Sequence, residues 1–129
     1  MATVELTLDN FETTISDNDT VIVDFWAEWC GPCKSFGPTF ESASEENEDI
    51  VFGKVDTEAQ QQLAGSFGIR SIPTLMVFRD NVLLYNEAGA LPPAALGSLI
   101  EQVRALDMDD VHRQIAEQES QEAHAGHDH

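Results

Sequence analysis

Apolar residues fall in short clusters along this chain, and their spacing switches between the period of a strand and that of a helix. From Val4 to Leu8 they alternate with polar residues, which predicts a short strand. Asp9 stands where a helix N-cap belongs, with Glu12 three residues on, a capping-box-like start for a helix to about Ser16. After a polar turn, Val21 to Trp26 is a nearly continuous apolar run with β-branched members, the pattern of a central strand buried on both faces. Its one charged member is Asp24.

Pro32 suits the first turn of a helix running to about Asn47, and Pro38 falls inside it, where a kink is expected. Ile50 to Asp56 predicts a second buried strand, and Glu58 to Phe67 a short helix ended by Gly68. Thr74 to Arg79 and Val82 to Asn86 predict strands joined by Asp80-Asn81, a two-residue hairpin signal. Pro92 and Pro93 open a last helix with Leu96, Leu99, Ile100, Val103 and Leu106 at helical spacing. The order β-α-β-α-β-α-β-β-α is a βαβ half joined to a ββα half around one mixed sheet, with helices on both faces: an α/β fold.

Composition adds limits. A chain of 129 residues, 42% apolar, favours one domain with a single core. Its formal net charge of -18 argues against nucleic acid or an anionic membrane as main partner, because phosphate binding needs clustered Lys and Arg. That charge suits either a salty cytoplasm or basic partners. No apolar run approaches a transmembrane span, and Met1 to Leu6 lacks the basic start and apolar stretch of a signal peptide. A cytoplasmic location is therefore expected.

The chemistry centres on Cys30-Gly31-Pro32-Cys33, the chain's two cysteines, two residues apart. Such a pair closes a small ring and can cycle between dithiol and disulfide, which fits a catalytic couple in a reducing cytosol. A zinc site would want two more ligands of the same kind, and a second Cys pair is absent. The pair sits at a strand-to-helix junction, where a thiol meets the positive end of a helix dipole and ionises more easily. Alternation places Asp24 on one face with Ile22 and Trp26. A carboxyl there is raised by desolvation and can take and return a proton; alternatively it bonds a hydroxyl or caps a turn.

The run Val23 to Lys34, with Trp29-Cys-Gly-Pro-Cys33, and the run Phe67 to Thr74, with Ile72-Pro73-Thr74, resemble the thioredoxin family in its bacterial form. The likeness covers about residues 4 to 106. It implies the thioredoxin fold: a mixed sheet of about five strands flanked by four helices, here with a C-terminal extension. It also implies a thiol-disulfide oxidoreductase that reduces protein disulfides and maintains redox homeostasis, recharged by a flavoprotein (FAD) reductase using NADPH. Cys30 would attack, Cys33 would resolve, and Asp24 would act with Lys54 as its strand partner. Gly31 and Pro32 would tune the reduction potential. Trp29, Ile72, Pro73 (a cis-proline in the family), Gly89 and Ala90 would contact substrate. For Gly89 a plain turn role remains open, as does a purely packing role for Trp26. No cofactor is expected on the chain itself, which is expected to be a monomer. A binding module with idle thiols, and an oxidant or isomerase, are the other readings.

After Leu106 the chain changes character. Residues 107–129 hold seven acids against Arg113 alone. Met108, Val111 and Ile115 fit one side of an extra helix, and beyond Glu119 unstructured chain is expected. His124, His127 and His129 form a cluster that would hold a borderline cation only weakly, with a solubilising tail and a partner-docking helix as alternatives.

Overall fold

The computed structural model describes residues 2–127, with side chains to Gln121. Five strands and five helices follow in the order β1 (Thr3–Glu5), α1 (Phe11–Asp17), β2 (Thr20–Trp26), α2 (Gly31–Glu46), β3 (Val51–Asp56), α3 (Gln61–Ser66), β4 (Thr74–Arg79), β5 (Val82–Ala88), α4 (Pro93–Ala105) and α5 (Met108–His127). The strands form one sheet in the order β1-β3-β2-β4-β5. β1, β3 and β2 run parallel, and β4 and β5 are antiparallel to their neighbours.

β2 is the centre, as its apolar run predicts. Val21 to Phe25 are buried without exception, because helices cover both faces. On one face Val21, Val23 and Phe25 pack with Phe11 and Ile15 of α1, Leu63 of α3, and Phe78. On the other, Ile22 packs with Phe36 and Phe40 of α2 and with Leu96, Ile100 and Val103 of α4. α2 runs through Pro38 without interruption.

Several boundaries differ from the sequence expectation, each for a local reason. β1 ends at Glu5 rather than Leu8, because the Asn10 amide folds the chain back. Its Nδ2 donates to the Glu5 carbonyl, and its Oδ1 accepts the Thr7 N–H at 2.7 Å. Asn10, not Asp9, then stands at the N-cap of α1, and it makes no side-chain cap bond to the helix. α3 starts at Gln61, three residues later than expected, since Asp56 Oδ1 accepts the N–H groups of Glu58 and Ala59 and holds them in a turn. Asp80 and Asn81 both have positive φ, 51° and 65°, as a tight hairpin turn requires. Leu106, expected on the buried side of α4, is exposed at its C-cap.

The chain beyond α4 is tied back by Arg79, whose guanidinium donates to the carbonyls of Val103 at 2.7 Å and Leu106 at 3.1 Å. Asp107 then caps α5, accepting the Asp110 N–H. Met108 is buried, Val111 and Ile115 are half-buried, and His112 Nε2 lies 3.6 Å from Asp80 Oδ2. The helix continues to His127, past the point where the sequence suggests unstructured chain. The side chains of His124, His127 and His129 lie outside the described residues. No described helix is long and apolar enough to cross a membrane.

Gly53 of β3 faces Leu6, which is fully buried, and a Cβ there would run into the leucine side chain. Gly53→Ala should therefore destabilise the fold by about 1–3 kcal/mol. The measurement is the urea midpoint; a midpoint equal to wild type would mean that Leu6 has room to move.

Candidate active site

β2 ends at Trp26, whose carbonyl accepts both the N–H and the hydroxyl of Thr57, at 2.9 and 3.0 Å. A turn closed by the Cys30 N–H on the Ala27 carbonyl leads into α2. Cys30 is the N-cap of that helix, with extended backbone, and Gly31 and Pro32 form its exposed first turn. Pro32 loses nothing there, since a first-turn N–H has no helical partner. The two cysteines are joined as a disulfide, their Cα atoms 5.2 Å apart.

Cys30 Sγ accepts the Cys33 N–H at 3.2 Å. When the pair is reduced, that donor and the helix dipole favour a thiolate at Cys30 over a thiol. Cys33 lies one turn in and is buried against Ala27, Trp26 and Ile72.

The loop before β4 completes the wall. The Ile72–Pro73 peptide is cis, and the Ile72 carbonyl oxygen lies 3.7 Å from Cys30 Sγ. Pro73 itself is buried, and its carbonyl accepts the Gly89 N–H at 2.8 Å. That bond ties the β5–α4 loop, which includes exposed Ala90, to the cis-proline segment. Gly89 has φ 113°, a conformation that side chains with a Cβ rarely adopt, which fits the plain turn role for this glycine. Trp29 is 68% exposed, with its Nε1 donating to Glu58 Oε1 at 2.6 Å. Trp26 is half-buried against the disulfide, so the two indoles differ as their places in the sequence suggest.

Asp24 is 1% exposed, and neither carboxyl oxygen has a hydrogen-bond partner. It lies on the sheet face under α2, between Ile22, which packs with Phe36 and Phe40, and Trp26, which packs with Cys33. Burial raises its pKa from 3.8 to about 7, against an opposing pull from Lys54. Lys54 is its register partner on β3, yet the ammonium turns aside to lie 4.7 Å from the centre of the Trp26 ring. Sequence reasoning missed that contact, and it missed Glu58 as the partner of Trp29. The local pattern assigns Glu58 to a helix, and nothing in its spacing from Trp29 signals a contact.

An oxidised Cys-x-x-Cys at a helix N-terminus, walled by a cis-proline loop over a buried carboxyl, defines a dithiol-disulfide oxidoreductase. The thioredoxin family model matches residues 2–102, and the chain belongs to that family; it is a protein-disulfide reductase. A Streptomyces coelicolor protein described as "Putative thioredoxin 2" is 60% identical over 120 residues, covering 93% of this chain and 90% of the relative. That match is longer than the stretch before the tail and so extends into α5. Bacillus subtilis thioredoxin is 38% identical over 103 residues, covering 79% of this chain and 98% of its own. Among solved structures, a mutant thioredoxin from Halobacterium salinarum superposes with a TM-score of 0.74 at 34% identity, covering 81% of this chain and 92% of that one.

The raised pKa of Asp24 has a stability consequence with a definite sign. Its carboxyl holds a proton more tightly folded than unfolded, so the protein loses stability as pH rises from about 4 through 7. Asp24→Asn cannot make that loss. The variant's stability relative to wild type should grow by on the order of 4 kcal/mol between pH 4 and pH 9, read from urea unfolding of the oxidised forms. A difference independent of pH would mean that the carboxyl is already ionised in the fold.

Proposed function

We propose that this chain reduces disulfides in cytoplasmic proteins with electrons supplied by an NADPH-dependent flavoprotein reductase. The observation that carries the reading is the different placing of two buried sulfurs. Cys30 is the N-cap of α2, its sulfur accepting the Cys33 N–H and lying beside the Ile72 carbonyl, while Cys33 sits one turn into the helix. The Cys30 thiolate attacks one sulfur of a substrate disulfide, forming a mixed disulfide and releasing the first substrate thiolate. Cys33 gives its proton to Asp24 and attacks Cys30, forming the intramolecular disulfide and releasing the second substrate thiolate. The substrate gains two electrons and the cysteine pair loses them. The reductase returns them, and the proton leaves Asp24 for the regenerated Cys33 thiol.

Lys54 tunes Asp24, while Gly31 and Pro32 set how readily the ring opens. Trp29, the Ile72 and Pro73 backbone, and the Gly89–Ala90 loop form the surface that receives an extended segment of substrate. Support for this surface comes from its convergence on Cys30, through the Ile72 carbonyl and the Gly89–Pro73 bond.

Cys30→Ser should abolish reduction of insulin disulfides in the presence of NADPH and thioredoxin reductase. Cys33→Ser should instead accumulate a mixed disulfide with substrate, visible as an adduct that dithiothreitol removes. Turnover persisting in Cys30→Ser would overturn the assignment of the nucleophile. Wild-type protein that binds substrates but shows no turnover would favour a binding module.

A further inference from the structure

The sheet register places three ionisable side chains in one row across three strands. Glu5 on β1 is paired with Lys54 on β3, and Lys54 with Asp24 on β2. The row runs from the exposed sheet edge to the buried centre, on the face covered by α2. Lys54 is the natural counter-charge for Asp24, but among the described residues no ion pair joins them, and both Asp24 oxygens are unpartnered. The ammonium lies over the Trp26 ring instead, at 4.7 Å.

The surroundings explain the choice. Trp26 and Lys54 both line an open cleft of about 260 Å³, completed by Thr3, Val4, Glu5 and Asp56. The ammonium lies over a π face beside an open cleft whose lining also includes two carboxylate residues, Glu5 and Asp56. Turning inward to Asp24 would strip its hydration and require a second desolvated charge. The groups around the row are few: Glu5 from β1, Lys54 and Asp56 from β3, Cys30 and Cys33 from α2, and one row further on Glu41 of α2, which is hydrogen-bonded to Thr3. β4 contributes Leu75 and Val77 to this face and, at its far end opposite Thr20, Arg79, which is bonded to the carbonyls at the end of α4.

We propose that Trp26 is a positioning residue for the proton-transfer step: its indole holds the Lys54 ammonium in the cleft at the β1 edge. The Asp24 carboxyl is thereby left unpaired and free to exchange the Cys33 proton. The proposal rests on the reading of Asp24 as proton acceptor. It gives Trp26 two contacts at once, the disulfide through packing and Asp24 through Lys54.

The test is a carbon-13 NMR titration of the Asp24 carboxyl in the oxidised protein, where no cysteine ionises. Trp26→Leu releases Lys54 toward Asp24 and should lower the midpoint by roughly half a unit to one unit. Trp26→Phe keeps an aromatic face and should lower it less. Lys54→Met removes the cation and should raise it.

The decisive measurement is the cycle. With Lys54→Met already present, Trp26→Leu should leave the Asp24 midpoint where it was. An equal drop in both backgrounds would overturn the proposal, because it would show that losing the indole only admits water. No drop in Trp26→Leu alone would overturn it as well. If the leucine variant does not fold, the phenylalanine variant closes the same cycle with a smaller shift. Failure of the proton-acceptor reading looks different: Asp24→Asn would reduce insulin at the wild-type rate from pH 6 to 9 while the NMR cycle held.

Discussion

β2 has no face toward water, and most of the architecture follows from that constraint. An apolar strand of seven residues must be hydrogen-bonded on both edges and covered on both faces. β3 and β4 supply the edges, parallel on one side and antiparallel on the other. α1 and α3 cover one face, α2 and α4 the other. The strand is therefore held rigidly, and whatever stands at its end inherits that rigidity. Cys30 stands there, four residues beyond Trp26, and Thr57 pins the exit by bonding the Trp26 carbonyl twice. A redox pair on such a junction can exchange bonds without moving its scaffold.

The same burial creates the site's electrostatics. Asp24 occupies an interior position in the most buried strand, where an ionised carboxylate is costly and no donor compensates it. The cost sits two residues before Trp26, whose ring packs with the cysteine pair. With its pKa raised to about 7, this carboxyl is partly protonated near neutral pH. Asp24 thus costs stability in a core whose neighbouring positions are apolar. Asp49 shows the contrast: exposed and bonded to Arg104, it is held well below the usual carboxylate range, at about 2.

The C-terminal helix adds something different from the rest of the fold. Its first turns lie by the β4–β5 hairpin, where His112 Nε2 approaches Asp80 and Arg79 bonds the end of α4. That hairpin lies at the end of β4 remote from Pro73, so α5 sits at the opposite end of the sheet from the cysteine pair. From Ala116 to Gln121 its residues are all exposed. Acidic and polar side chains dominate there, in keeping with a chain of strongly negative net charge.

Much of this was legible before any coordinate. The continuous apolar run of β2, the Cys-x-x-Cys after it, the Asp80-Asn81 turn and the paired prolines before α4 each carry a local physical signal. The element order and the identity of the redox pair follow from them. Local signals failed where a side chain bonded across the turn, as Asn10 does before α1 and Asp56 does before α3. They also failed for contacts between distant segments. That Glu58 would meet Trp29, that Gly89 would bond Pro73, and that Lys54 would turn from Asp24 to the Trp26 ring depends on sheet register and loop packing. Periodicity reports which face a residue occupies, whereas its neighbours on that face come from other strands. The chain's own sequence determined the strands, the thiols and the buried acid; only the folded sheet decided which charge stands beside which ring.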